Sequence, residues 1–248
     1  QGGQDVEQRA RAKHGWNNAI TNSVVKGTIS YFDRDGKMTG QSAITLYRKY
    51  PDKLRVEIGS GGTVTVSGFD QTSAWRAGSA RVSEEEARDI RQWLRLWPDR
   101  LFITRAAGAP YREGGRHLEH HKPPAPGRAP EILAQPVVSE VVQIEDTIGP
   151  QSGNSARDKR RISYHINGQE STVSTARWLE PDDPRRSAED FSAPMMEVRV
   201  EFARWQQVGG VLWPFEVTHW LGGKVDFRID VLEVKFNQPM PDTLFHGR

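Results

Sequence analysis

Any chemistry here has to come from groups that ligate metals, move protons or attack carbon. His117, His120 and His121 stand close together, at spacings that would share a metal ion on a helix. The five Pro and four Gly between Arg105 and Pro130 oppose a helix, so these imidazoles read as part of a solvated loop. Glu57, Glu197, Glu201, Asp226 and Asp230 are candidates for paired acid–base work. Such work needs one carboxyl set against an apolar pocket. All five fall on the polar side of alternating stretches, which predicts ordinary wet strand faces. Gly59-Ser60-Gly61-Gly62 has the glycine density of a dinucleotide loop, yet it leads into a strand pattern and reads as a hairpin turn. No G-x-S-x-G, H-E-x-x-H or G-x-x-x-x-G-K-[ST] segment occurs. The absence of Cys removes disulfides, thiolate zinc sites, iron–sulfur clusters and cysteine nucleophiles. The chain is therefore expected to be no enzyme, with no catalytic residue, no metal and no cofactor.

Composition narrows the partners. The 248 residues carry 34 Lys plus Arg against 32 Asp plus Glu, a net charge of +2, which argues against nucleic acid as a partner. Arg157, Lys159, Arg160 and Arg161 form a basic patch that reads as a solvated loop-to-strand junction. Its functional rival is contact with anionic headgroups, worth about 1 kcal/mol per charge near a surface. No run approaches the roughly 18 apolar residues of a membrane span. The hydrophobic fraction, 36%, is low for a compact globule, and a hollow fold whose ligand completes the core would need fewer apolar residues.

The elements that must position any site are mostly strands. A helix should end near His14-Gly15, because Gly is favoured just past a helix end. Lys53–Ile58 alternates strictly, with Leu54, Val56 and Ile58 on one face. The segments around it, from Val25 to Arg76, read as a five-strand meander with turns at Asp35-Gly36, Pro51-Asp52 and Gly61-Gly62. Ser83 with Glu86 is a capping box opening an amphipathic helix that Pro98 should stop. Arg105–Pro130 reads as a long irregular excursion, and Pro181–Pro194 as another. Strands resume from Val137. Val198, Val200 and Phe202 alternate with charged neighbours, and Gly209-Gly210 and Gly222-Gly223 are hairpin turns. Pro214 marks an edge or a bulge. Val225, Phe227 and Ile229 share one phase and Leu232, Val234 and Phe236 the other, which requires a β-bulge near Val231. The eight Trp are split between this pattern and the helix, where Trp93 and Trp97 flank Leu94. They read as core or as the lining of an apolar cavity.

Several segments, in this order, resemble the LolA-like lipoprotein carriers, a group that includes LolB-, RseB- and LppX-type proteins. Lys26-Gly27-Thr28-Ile29 fits the G-x-[ILV] strand. The strand and basic-Pro turn correspond to Leu46 through Val56, including Arg48-Lys49-Tyr50-Pro51. Gly68 through Trp75 fits the following hairpin. Phe202 through Pro214 fits the aromatic strand, Gly turn and Pro. Asn237-Gln238-Pro239 through Phe245 fits the closing tail. Residues Arg105–Glu131 and Pro181–Pro194 have no counterpart. The carrier has Arg directly before the Pro, so Arg48, Lys49 or neither takes its lid-gating role.

The resemblance implies a mainly β, α+β fold: an unclosed antiparallel half-barrel of about eleven strands, with helices covering the concave face. It also implies one domain over 1–248, and an exported, periplasmic protein whose signal peptide is absent from this chain beginning at Gln1. The expected ligand is the acyl chain of a lipid or lipoprotein. The expected lining is Ile44, Leu46, Leu54, Val56 and Ile58, then Val198, Val200 and Phe202, then Phe215, Phe227 and Ile229. Trp93, Leu94 and Trp97 should cover the opening. Peripheral membrane contact and a monomer fit this expectation. The alternative is a cell-envelope sensor or scaffold of the same fold that binds a protein partner.

Overall fold

The computed structural model describes residues 2–106, 111–122, 131–148, 158–181 and 194–247. Alternating apolar and polar residues generate most of it. The first meander consists of β1 (Asn22–Phe32), β2 (Met38–Lys49), β3 (Lys53–Ser60), β4 (Thr63–Asp70) and β5 (Ala74–Arg76). The second runs through β6 (Tyr111–Lys122), β7 (Glu131–Ile148), β8 (Asp158–Asn167), β9 (Val173–Pro181), β10 (Met195–Val208), β11 (Val211–Leu221) and β12 (Lys224–Phe236). All twelve lie in one sheet in the order β5-β4-β3-β2-β1-β12-β11-β10-β9-β8-β7-β6, one strand more than expected. Every pairing is antiparallel, and β1 joins the two meanders by pairing with β12. The edges β5 and β6 do not pair, so the sheet is an unclosed half-barrel.

Three helices pack on it: α1 (Gly2–His14), α2 (Glu84–Gln92) and α3 (Asp99–Ala106). Gly15 follows α1 at φ +64, the left-handed conformation that ends helices. A Cβ there would collide with the Gly210 carbonyl oxygen, so α1 lies directly on the β10–β11 hairpin. The Ser83–Glu86 capping box forms on α2 as the spacing predicts.

Some expectations hold here and others need correction. Tyr111–Lys122 is a strand paired with β7, where the Pro and Gly content predicts irregular chain. The helix from Ser83 stops at Gln92; Trp93 through Trp97 form turns, with Leu94 N–H bonded to Arg91 O and Arg95 N–H to Gln92 O. Pro98 then precedes a new helix, a position proline suits because the first helical N–H groups lack partners anyway. The bulge near Val231 is present: Lys26 pairs with Glu233 but Gly27 with Val231. Leu232 is the extra residue and is turned out, 72% exposed, while Val231 and Val234 are buried. Pro214 sits in the interior strand β11, opposite Trp205 and beyond the point where pairing with β12 begins at Glu216, so its missing N–H breaks no ladder there. The Pro181–Pro194 excursion lies mostly outside the described residues, as does Arg157.

Candidate functional site

The residues expected to line a cavity converge on one face. Ile44, Leu46, Leu54 and Val56 are buried in a common core with Val198, Val200, Phe202 and Ile229. Ile58 and Phe215 are half-buried against it. The helical segment fills the concavity: Leu94 is buried, and Trp97 stacks on Trp213 with ring centroids 5.4 Å apart. Trp93 and Phe227 are the two members of the expected set that line an open cleft.

Polar contacts help to seat α3 and the turns before it, and alternation by itself does not expose them. Arg48 is 1% exposed, and its guanidinium reaches both oxygens of Asp99, the first residue of α3, at 2.8 and 3.0 Å. Tyr50 Oη lies 2.9 Å from Asp99 Oδ2 and 2.9 Å from Ser23 Oγ. A phenol has one proton, and the carboxylate is the stronger acceptor. Burial opposes the charge on Arg48, yet Asp99 and Tyr50 hold its pKa above the ordinary range. Lys49, the alternative to Arg48, instead pairs with Asp242 near the chain end.

A second knot lies alongside. Asp146 on β7 is fully buried and accepts from Arg95 Nε and Arg100 Nε, both at 2.8 Å. Burial raises its pKa, but Arg100 and Arg95 outweigh that and hold it below the usual carboxylate range. Arg100 also donates to Asp52 Oδ1 and to Pro51 O, tying α3 to the β2–β3 turn. Tyr164 Oη, Trp97 Nε1 and Trp213 Nε1 are buried nearby with no hydrogen-bond partner among the described residues. Arg160, expected to be solvated, is buried and forms a bidentate pair with Glu180.

His14 anchors α1 in the same layer. It is 2% exposed, with Nδ1 3.3 Å from Leu212 O. Nε2 accepts the Val173 N–H at 3.2 Å, which places the ring proton on Nδ1. Burial lowers its pKa from 6.5 to about 4. Between those values the unfolded chain holds a proton that the folded chain does not, so stability falls as pH drops. The shift corresponds to about 3 kcal/mol, complete near pH 4. Urea titrations from pH 7 to 5 should therefore show a steeper loss in the native protein than in His14→Gln. Equal slopes would contradict this role for His14.

One open space is a cleft of about 410 Å³ between α2 and the ends of β1, β9, β10, β11 and β12. One wall is aromatic. The His219 ring stacks on Phe227 at 4.5 Å and 9°, and Phe227 stacks on Trp93 at 5.6 Å and 24°. The other wall carries Glu85, Arg88 and Asp89 of α2. Asp226 was expected on the wet face of β12. A bulge intervenes, because His219 pairs with Phe227 but Trp220 with Val225. Asp226 is the extra residue of that bulge and meets His219, with Oδ2 3.2 Å from Nδ1. Among the described residues no group of three or more His, Cys, Asp or Glu could hold a metal ion. Among them, too, no helix is long and apolar enough to cross a membrane.

No protein-family model matches the chain, and no curated protein matches it in sequence. Solved structures do match in shape. A putative outer membrane lipoprotein-sorting protein domain from Vibrio parahaemolyticus superposes with a TM-score of 0.56 at 9% identity, over 97% of this chain and 94% of that one. A LolA superfamily protein from Nitrosomonas europaea superposes with a TM-score of 0.50 at 12% identity, over 98% and 96% of the two chains. The chain therefore has the LolA-like fold of those proteins, the fold to which the order of its sequence motifs pointed.

Proposed function

We propose that the protein is a non-enzymatic, exported carrier that holds acyl chains of a lipid or lipoprotein between the concave sheet and its helices. The conformation described above is its closed form. One observation carries the reading: the concave face is a continuous apolar surface covered by short helical pieces that salt bridges hold in place. Acyl chains need only a dry, non-directional surface, and each buried methylene is worth about 0.8 kcal/mol. The side chains of Leu94, Trp97 and Leu101 occupy that surface in the closed form, so a ligand would take their place. Burial of Arg48, Arg95 and Arg100 together with their acids makes the seat two-valued: the pairs are either fully formed or opened to water. The three unpartnered donors, Tyr164 Oη, Trp97 Nε1 and Trp213 Nε1, each weaken the closed form by about 1–3 kcal/mol and would be available to ester or amide oxygens of a ligand. A periplasmic site of action and contact with a membrane surface follow from this role.

Native mass spectrometry of protein purified from a bacterial envelope should show lipid adducts, and organic extraction should recover acylated species. The purified protein should take up a fluorescent fatty acid saturably. A protein that carries no lipid and takes up no fatty acid would overturn the reading.

A further inference from the structure

The concave face of the sheet carries α2, and its convex face carries the segment that follows β12. This segment runs from Asn237 to Gly247 and includes a short 3-10 helix, Asp242–Phe245. Asn237 turns the chain off β12 at φ +54, in the left-handed region that Asn tolerates. Its Oδ1 accepts the Thr21 N–H at 2.8 Å, and the Gln238 N–H donates to Asn22 Oδ1 at 2.8 Å. The 3-10 helix packs on β3 and β4. Asp242 reaches Lys49 at 2.6 Å and Lys53 at 3.1 Å, exposed bridges that salt screens. Phe245 is fully buried there, outside the core that the helices cover.

The segment converges on Trp75, the middle residue of β5. Trp75 Nε1 donates to Phe245 O at 2.6 Å. A Cβ on Gly247 would stand 2.8 Å from Trp75 Cβ, so the backbone of the segment lies directly against that residue. On the sheet side the indole lies over Gly68, where a Cβ would overlap the ring. Arg55 places its guanidinium carbon 5.9 Å from the ring centroid and donates to Leu244 O at 3.4 Å. The residues flanking Trp75 point the other way, as strand alternation requires. Ala74 packs against the core, and Arg76 Nη1 lies 2.9 Å from Glu86 Oε1 on α2. Glu86 also closes the capping box of α2. β5 itself is an edge strand joined to the sheet through three residue pairs with β4. One short strand is thus gripped by the segment on its outer face and by α2 on its inner face.

We propose that the Asn237–Gly247 segment is a strap whose docking on the convex face holds α2 in its seat on the concave face, with β5 as the coupling element. A ladder of three residue pairs at a sheet edge is a weakly held unit that opens locally unless other contacts secure it. Undocking the strap removes the cover of Trp75 and the acceptor of its indole N–H. β5 then frays from β4, and α2 loses Arg76 and the surface beneath its first turn. The coupling is reciprocal, so loosening α2 loosens the strap. The device requires no ligand and stands or falls separately from acyl carriage.

Amide hydrogen exchange in the full chain, read by nuclear magnetic resonance, tests this. Phe245→Asp places a charge where an apolar ring is buried and so undocks the strap. Exchange of the β5 and α2 amides should then rise at least about tenfold, while β10 and β11 keep their native protection. Trp75→Phe keeps a ring over Gly68 but loses the bond to Phe245 O, and should give about a threefold rise in α2. In the reverse direction, Glu86→Gln should speed exchange of the Leu244 and His246 amides, which are bonded within the strap to Pro241 O and Thr243 O. Native exchange of α2 in Phe245→Asp would overturn the proposal. Equal acceleration of every strand would also overturn it, because the strap would then be a general brace. Should Phe245→Asp fail to fold, Trp75→Phe decides, and unchanged exchange of α2 in that variant overturns the proposal. Strap amides indifferent to Glu86→Gln would deny the reciprocity and overturn it as well.

Discussion

Asp146→Asn should cost about 3–5 kcal/mol, the usual result of removing one partner from a buried ion pair and leaving buried charges with reduced compensation. The substitution keeps the shape of the side chain. It removes the negative charge that, among the described residues, Arg95 and Arg100 both contact, with all three side chains at most 2% exposed. For a chain of this size that loss lowers Tm by about 10 °C. The acid limb should change with it. The folded pKa of Asp146 lies below the ordinary carboxylate range, so its contribution is complete above about pH 4 and disappears as pH falls through the folded value. The variant should lose that part of the acid dependence. Glu57→Gln is the control: its pair with Arg55 is about a quarter exposed on both sides and should be worth less than about 1 kcal/mol. Urea unfolding of the three proteins measures the difference. A cost for Asp146→Asn no larger than for Glu57→Gln would mean the knot does not hold the helices.

The second large effect concerns Arg48 and Asp99. Arg48→Met and Asp99→Asn should each cost about 3–5 kcal/mol, because each leaves a buried charge with reduced compensation. The double variant should cost about 2–3 kcal/mol less than the sum, since it leaves neither charge behind. Strict additivity would deny the coupling. The proposed function adds a ligand readout. If the closed helices and acyl chains compete for one surface, apparent affinity scales with the fraction of open protein. Each 1.4 kcal/mol removed from the closed form then tightens fatty-acid binding about tenfold, up to the point where the open form dominates. Arg48→Met should bind a fluorescent fatty acid at least tenfold more tightly than the native protein, with circular dichroism confirming the sheet. Lys49→Met, which loses only an exposed pair, should leave uptake unchanged.

These two predictions rest on residues that a count of apolar positions passes over, although their signal is in the sequence. Ile44 and Leu46 fix the inward phase of β2, and Arg48 continues it. Val142, Ile144 and Ile148 fix that of β7, with Asp146 between them. Arg160 shares the phase of Ile162, Tyr164 and Ile166. A charge at an inward position is the mark of a buried pair, and the partner is then sought where another charge interrupts an apolar run, as Arg95 and Arg100 do. Alternation made the meanders, the hairpin glycines and the Val231 bulge legible because each strand carries its own pattern. It failed at Tyr111–Lys122, where pairing with β7 overrides a composition poor in strand formers. It also misplaced Asp226, because the bulge opposite Trp220 is set by the β11–β12 register and leaves no local trace. Trp93 and Phe227 are legible as candidate lining, but nothing in their spacing foretells His219 stacked on Phe227.

On the proposed function, acyl chains occupy the surface now covered by the helices, which must lift to admit them. The chain has no Cys, so a pair of introduced cysteines can be spin-labelled without background. Labels at Glu84→Cys on α2 and Lys224→Cys at the start of β12, both exposed positions away from the ion pairs under the helices, report the separation of helix and sheet by pulsed electron spin resonance. Adding a saturating fatty acid should convert the single distance of the closed form into a longer, broader distribution. The shift should occur at lower ligand concentration in the Arg48→Met background. An unchanged distance at concentrations where fatty acid is bound would contradict the claim, because the ligand would then lie somewhere other than beneath the helices.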